Sequence, residues 1–402
     1  MPHPLAMLPK EEVHAKVDAS YADIINAATK WQPDLKPKTE KEAPYPARRI
    51  KMTGTYAKIN QMFASRKWSI GIPIVPPTVE DVEAMLKGTS HDPSEVLWVV
   101  PPRQGILTVE LVAVLGVMAG ATPDMMPLLL ATVNAMKDPA SAWRGCTTTT
   151  AATEPLLIIS GPIVKELKLN DGTGTAGSGN LVQNALGHFV NLVGDVVGGS
   201  TIPDKDLSTI GSSADLVATV ICENFDKTPW EQSFAEAQGF TRNDSIVTLT
   251  TCYPPSSNVD RTSTTAEGFL NTLSIGVAAN TTGVSSCLTK YQGNINSNAN
   301  KCAFVVVLVT PQHAAFLSDN KMKKQDILDY MLKAAALPYK YYAPKTCIPP
   351  ESFGPYDENT WIPRFTSTES IKLVVTGGAG TQSQIWTPFP HVLHPVSVRI
   401  ER

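Results

Sequence analysis

Short runs of consecutive apolar residues, each closed by proline, glycine or a small polar residue, recur along this chain in the same order twice. Val96-Leu97-Trp98-Val99-Val100 stops at Pro101-Pro102, Leu156-Leu157-Ile158-Ile159 stops at Ser160-Gly161-Pro162, and residues 216–221 follow. Later, Ile246-Val247-Thr248-Leu249 leads to Pro254-Pro255, Phe304-Val305-Val306-Val307-Leu308-Val309 stops at Thr310-Pro311, and Ile371-Lys372-Leu373-Val374-Val375 comes third. Runs of this length between turn residues read as buried strands, and helical patterns lie between them. The order predicts an α/β fold of two similar lobes, each a mainly parallel sheet covered by helices, with a cleft between them.

The helical pattern sharpens the boundaries. Residues 11–31 carry Val13, Val17, Tyr21, Ile24, Ile25 and Ala28 at helical intervals, and the proline- and lysine-rich residues 32–49 read as an extended linker. Residues 1–67 are therefore expected to be an N-terminal arm, which would either clasp a second copy in a homodimer or lie across the chain's own surface. The first lobe then spans 68–235, and the second, with a C-terminal tail, 236–402. Thr78 with Asp81 caps a helix over 78–86, and helices over 108–119 and 122–136 are apolar on almost every side, as buried helices are. Met125 and Met126 read as core filler.

Composition excludes several classes. With 34 basic against 37 acidic residues and a formal charge of -3, the chain lacks the basic footprint of a nucleic-acid binder. No apolar run approaches the roughly 20 residues of a membrane span, and the N-terminus lacks a signal-peptide pattern, so a cytoplasmic location is expected. Cys146, Cys222, Cys252, Cys287, Cys302 and Cys347 show no CxxC or zinc-ligand spacing, and the histidines are dispersed. Neither a metal nor a cofactor is expected. The segment Gly172-Thr173-Gly174-Thr175-Ala176-Gly177 matches the dinucleotide fingerprint only loosely and lies too far beyond its strand.

Ligands of open α/β sheets bind at the carboxyl ends of the strands, which selects the candidate site. Arg103, beside Pro101-Pro102, is a charge clamp for an anion, and Ser160 and Gly161 end the next strand. Glu223, in Cys222-Glu223-Asn224, is a general acid or base if an apolar setting raises its pKa, and a capping or salt-bridged glutamate otherwise. His313, in Pro311-Gln312-His313, is the matching candidate in the second lobe, or an ordinary histidine in a helix's first turn. Cys146, followed by Thr147, Thr148 and Thr149, reads as a nucleophile beside an anion-binding wall, or as a buried thiol next to a threonine-rich strand. Asn180 and Asn184 share a helix face with His188 and Asn191. Gly377, Gly378 and Gly380 form a loop open to close backbone approach.

Taken in order, several of these motifs resemble the large module of the bacterial UGSC family, selenocysteine or cysteine proteins distantly related to glycine, betaine and D-proline reductase components. The resemblance covers roughly residues 70–390 and is carried by Ile72-Pro73-Ile74-Val75-Pro76-Pro77-Thr78 with Val82-Glu83-Ala84-Met85-Leu86, by Pro101-Pro102-Arg103, Leu157-Ile158-Ile159-Ser160-Gly161-Pro162-Ile163 and Gly179-Asn180, and by Cys222-Glu223-Asn224 with Pro229-Trp230-Glu231 and Val375-Thr376-Gly377-Gly378. The redox motif that names the family is absent from this chain. The resemblance thus implies either a separate thiol or redox partner carrying it, or different chemistry.

The residues together lead to a cofactor-independent enzyme of lyase, hydratase or isomerase type. It would act by acid–base elimination, hydration or rearrangement on a small anionic substrate in the inter-lobe cleft. A thiol-dependent reductase using Cys146 or Cys222, and a non-catalytic subunit of a redox complex, stand as the alternatives.

Overall fold

The computed structural model describes residues 8–30, 45–280, 304–341, 357–365, 367–389, 392 and 394–401. Cys287, Cys302, Cys347 and most of the linker read at 32–49 lie outside the described residues. The chain divides into two units, residues 1–44 and 45–402. The first holds the helix Lys10–Thr29, opened by Pro9 with Glu11 and Glu12 in its first turn, where their charge favours the helix dipole.

Among the described residues of the second unit there are twelve strands: β1 Val96–Val100, β2 Gly105–Thr108, β3 Glu154–Ser160, β4 Thr219–Cys222, β5 Ile246–Cys252, β6 Ser256–Val259, β7 Val305–Val309, β8 Ala336–Pro338, β9 Trp361–Pro363, β10 Ile371–Val375, β11 Gln382–Trp386 and β12 Val396–Arg399. Two four-stranded sheets dominate, ordered β12-β5-β3-β4 and β10-β7-β11-β6. The fold is α/β, but the sheets are mixed. Each has one parallel pair, β3 with β4 and β7 with β10, and two antiparallel pairs. The expectation of mainly parallel sheets fails because strand–helix alternation says nothing about which side of a sheet a connection returns to. Residues 376–381 show this: they pass over the end of β7, so that β11 pairs with β7 from its far side and runs antiparallel.

Two further expectations change. The run at 96–100 does not join a main sheet; β1 and β2 form a separate hairpin, with Val96 and Val99 exposed. The run at 246–252 pairs with β3 and belongs to the first sheet, as does C-terminal β12, so the first sheet is completed by strands from beyond residue 235.

Alternation of side chains along each strand builds four layers. Leu157, Ile159, Val220, Cys222, Val247 and Leu249 pack against the helices Val109–Ala119, Met126–Lys137 and Leu181–Leu192. On the other sheet, Val305, Val307, Val309, Ile371, Leu373 and Val375 pack against Ala266–Asn280, Pro311–Asp319 and Lys324–Ala334. The opposite strand faces meet each other: Leu156, Ile158 and Ile221 from one sheet join Val306, Leu308, Val374 and Trp386 from the other. The space between the sheets is thus an apolar seam over much of its extent, where the sequence suggested a cleft. Caps set the helix starts: Thr78, Thr108 and Thr310 each accept a hydrogen bond from the backbone N–H three residues on.

Candidate functional site

The parallel pair β3–β4 carries the site at its carboxyl end. β3 finishes at Ser160, and Gly161 turns the chain with φ +93°; a Cβ there would stand 2.1 Å from the Asp244 carbonyl oxygen, so only glycine fits. Pro162 then leads into a single helical turn, Ile163–Glu166. Beyond the end of β4, the N–H of Glu223 donates to the Ile159 carbonyl (2.9 Å), which extends the ladder by one bond and fixes Glu223 beside Ser160.

Glu223 is 2 % exposed. Its Oε1 accepts a 2.6 Å hydrogen bond from the Phe234 N–H, while its Oε2 and the Oγ of Ser160 are both buried without a partner. Burial pushes the carboxyl above its ordinary range; the Phe234 amide, the neighbouring Ser160 hydroxyl and the Lys324 charge offset only part of this. Ser160 Oγ is near enough to act on the carboxyl, yet the two atoms do not complete a hydrogen bond of normal geometry.

Glu223 opens on a cavity of about 250 Å³ whose wall includes Gly161, Lys165, Asp171, Phe225, Asp226 and Arg242. The Lys165 Nζ lies 2.7 Å from Asp226 and 3.4 Å from Asp171, and the Arg242 guanidinium stacks 4.2 Å above the Phe225 ring. Two glycine-containing loops close the back. The Gly377 N–H and the Asn224 side-chain amide both donate to the Asp171 carbonyl, and Gly378 packs so tightly on Thr173 that a Cβ would meet its Oγ1 at 2.0 Å. Gln183 braces this corner from the helix Leu181–Leu192, accepting from the Asn170 N–H and donating to the Thr175 and Val220 carbonyls. Gly377 and Gly378 therefore meet the 170–175 loop, as backbone rather than as a phosphate cradle.

The other expected residues do not converge on Glu223. Cys146, Thr147, Thr148 and Thr149 precede β3, at the opposite end of a seven-residue strand about 20 Å long. Thr147 and Thr148 donate to the carbonyls of their own helical turn, and Thr149 caps the Ala151 N–H, so these hydroxyls are used locally. Arg103 sits near the same end: its N–H donates to the Gly198 carbonyl, and its exposed guanidinium is 3.8 Å from Asp204. It lines none of the cavities described here. Cys146 and Thr147 do line a smaller cavity of about 50 Å³ with Asp195, Asp206 and Asp215, room for about one or two waters. Burial, with Asp206 and Asp215 nearby, pushes Asp195 up to about 7.

Burial pushes the Cys146 thiol up to about 12 and the Cys222 and Cys252 thiols upward as well, which disfavours the thiolate form that acts as a nucleophile. His313 is spent inside the second sheet: Nδ1 bonds Ser383 Oγ at 3.0 Å, Nε2 faces the Asp260 carbonyl at 3.3 Å, and the ring packs 4.3 Å from Phe269. Burial lowers its pKa. Asn180 caps its helix by accepting from the Gln183 N–H; Asn184 is half-buried; the Gly380 carbonyl accepts from Thr310 Oγ1. Sequence reasoning missed Lys165, Asp171 and Arg242. Lys165 had a signal, since it stands on the helical turn after Ser160-Gly161-Pro162; Arg242, in a polar turn far along the chain, had none.

Among the described residues no helix is long and apolar enough to cross a membrane, and no group of His, Cys, Asp or Glu is placed to hold a metal ion. The chain matches no protein-family model, no curated protein and no solved structure.

Proposed function

We propose that this protein is a cofactor-independent acid–base enzyme whose proton-transfer group is Glu223, acting on a small organic anion in the cavity at the β3–β4 strand ends. The observation that carries the reading is Glu223, a lining residue of a cavity that also holds Lys165 and Arg242, with its Oε2 and the neighbouring Ser160 Oγ both buried and unpartnered. A carboxyl held toward its protonated form gives a proton to a leaving hydroxyl; as the carboxylate it removes one from the carbon next to the substrate's own carboxylate. Ser160 then donates to the oxygen on which charge develops. Arg242 and Lys165 replace Arg103 as the charge clamp, and Arg242's planar fork suits a carboxylate. Elimination, hydration and rearrangement all use these steps.

Two wider readings belong to the same proposal. The equal strand plans of the two sheets support an internal duplication, and three segments that carry the UGSC-family resemblance, at 160–162, 222–224 and 375–378, come together around this corner.

The test is proton exchange. Short hydroxy and keto acids are incubated with the protein in D₂O, and loss of the proton next to the carboxylate, or new olefinic signals, is followed by proton NMR. Exchange with one substrate class is expected, falling about 10²- to 10⁴-fold in Glu223→Gln. No exchange with any member, or Glu223→Gln working at the wild-type rate, overturns the reading.

A further inference from the structure

A larger cavity lies elsewhere, on the open side of the two sheets. It measures about 620 Å³, within the range of small-molecule sites. Edge strands β10 and β12 both border it, through Ile371, Lys372, Leu373 and Ser397, and the short helix Phe234–Ala237 and the start of Lys324–Ala334 close it. Strand alternation explains its polarity. Lys372 shares parity with Val374 and so points toward the space between the sheets, and Ser397, between the helix-facing Val396 and Val398, points there from the other side. At this edge the apolar seam gives way to a lysine, a serine and open volume.

Two cations, Lys324 and Lys372, face that volume, whose wall also carries Glu369. Lys324 Nζ donates to the Gln232 carbonyl at 3.2 Å, and no carboxylate among the described residues lies within ion-pair distance of Lys324 or Lys372. Glu223 and Glu236 act on Lys324, and Glu369 on Lys372, from farther away. Phe234, Phe240, Leu328 and Leu373 supply an apolar wall.

We propose that this cavity binds a monocarboxylate with an apolar body, its head group held by Lys324 and Lys372 and its body laid against Phe234, Phe240 and Leu328. Burial pushes both lysines below their ordinary range, and Glu223 and Glu236 at Lys324 and Glu369 at Lys372 offset only part of this. A carboxylate bound at close range adds to that compensation. The inference goes beyond the Glu223 reading and stands without it, since this cavity shares no lining residue with the one at β3–β4.

Calorimetric titration of the full chain with octanoate, octanol and octylamine tests it. Octanoate is expected to bind once per chain, with the alcohol and the amine at least about tenfold weaker. Lys372→Met should weaken octanoate by about 10- to 100-fold, Lys372→Arg should retain most of the affinity, and Arg242→Ala, in the other cavity, should leave octanoate affinity as it is. Lys324→Met gives an independent second reading should Lys372→Met fail to fold. The proposal is overturned if octanoate does not bind, if octanol binds equally well, or if binding is lost in Arg242→Ala and kept in the lysine variants.

Discussion

The carboxyl ends of β3–β4 and β7–β10 are built on one plan and put to different uses. In each parallel pair the residue after the edge strand donates its N–H to a carbonyl at the end of the inner strand: Glu223 to Ile159, and Thr376 to Val309. Ser160 thereby matches Thr310 in position, and Glu223 matches Thr376. At the second end every hydroxyl is satisfied: Thr376 Oγ1 donates to the Cys222 carbonyl (2.6 Å), and Thr310 Oγ1 donates to Gly380 while capping the next helix. At the first end, Glu223 Oε2 and Ser160 Oγ are left without partners beside a cavity. The same backbone makes a joint between sheets where it carries threonine and a candidate site where it carries glutamate. A satisfied hydroxyl adds stability, whereas a buried carboxyl oxygen without a partner costs it and persists where something else is gained.

The largest expected effect is at the turn that separates the two ends. Gly161 has φ +93° and no room for a Cβ, while its counterpart Pro311 enters a helix directly. Gly161→Ala should cost about 2–5 kcal/mol, by overpacking plus the left-handed backbone, in urea unfolding monitored by circular dichroism. A loss under about 1 kcal/mol would mean that the 160–162 turn adapts and does not hold Ser160 rigidly.

Next is a difference in pH behaviour. Burial raises the folded pKa of Glu223 above its ordinary 4.5, so the folded state holds the proton more tightly than the unfolded chain. Stability from this group is therefore fully present below pH 4.5 and is lost as pH rises through the folded value. Glu154, Asp195 and Asp215, also raised, tilt the whole profile the same way, so the informative quantity is the difference between wild type and Glu223→Gln. The variant should gain melting temperature relative to wild type as pH rises from 4.5 toward neutrality. Parallel profiles would show that Glu223 is not held toward its protonated form.

Smallest is the joint. Thr376→Val keeps the side-chain shape and removes the bond to Cys222, with an expected loss of about 1 kcal/mol and no pH dependence. A pH-dependent loss would mean that the two strand ends are coupled through Asn224, whose N–H bonds the Val375 carbonyl.

Much of the local structure was legible. The apolar runs at 156–159, 304–309 and 371–375 form buried strands, and Thr78 caps the helix that follows it. Half of the candidate site was also legible: Ser160, Gly161 and Glu223 stand at strand ends, and a strand end can be read from a short window. The clamp was not. Arg103 looked right beside Pro101-Pro102, but β1 folds into a hairpin of its own and carries Arg103 toward Gly198.

What the sequence determined by itself is therefore the strands of the apolar runs, the helices over 78–86, 108–119 and 122–136, the Thr78 cap and the strand-end residues, because side-chain alternation, turn chemistry and capping act over a few neighbours. The pairing of β5 and β12 with β3, the mixed direction of both sheets, the apolar seam in place of a cleft, and the arrival of Arg242 beside Glu223 were decided only by the tertiary structure. A strand's apolar faces state that it will be buried, but not against which partner. That choice depends on contacts far apart in the chain, whose energies no local window contains.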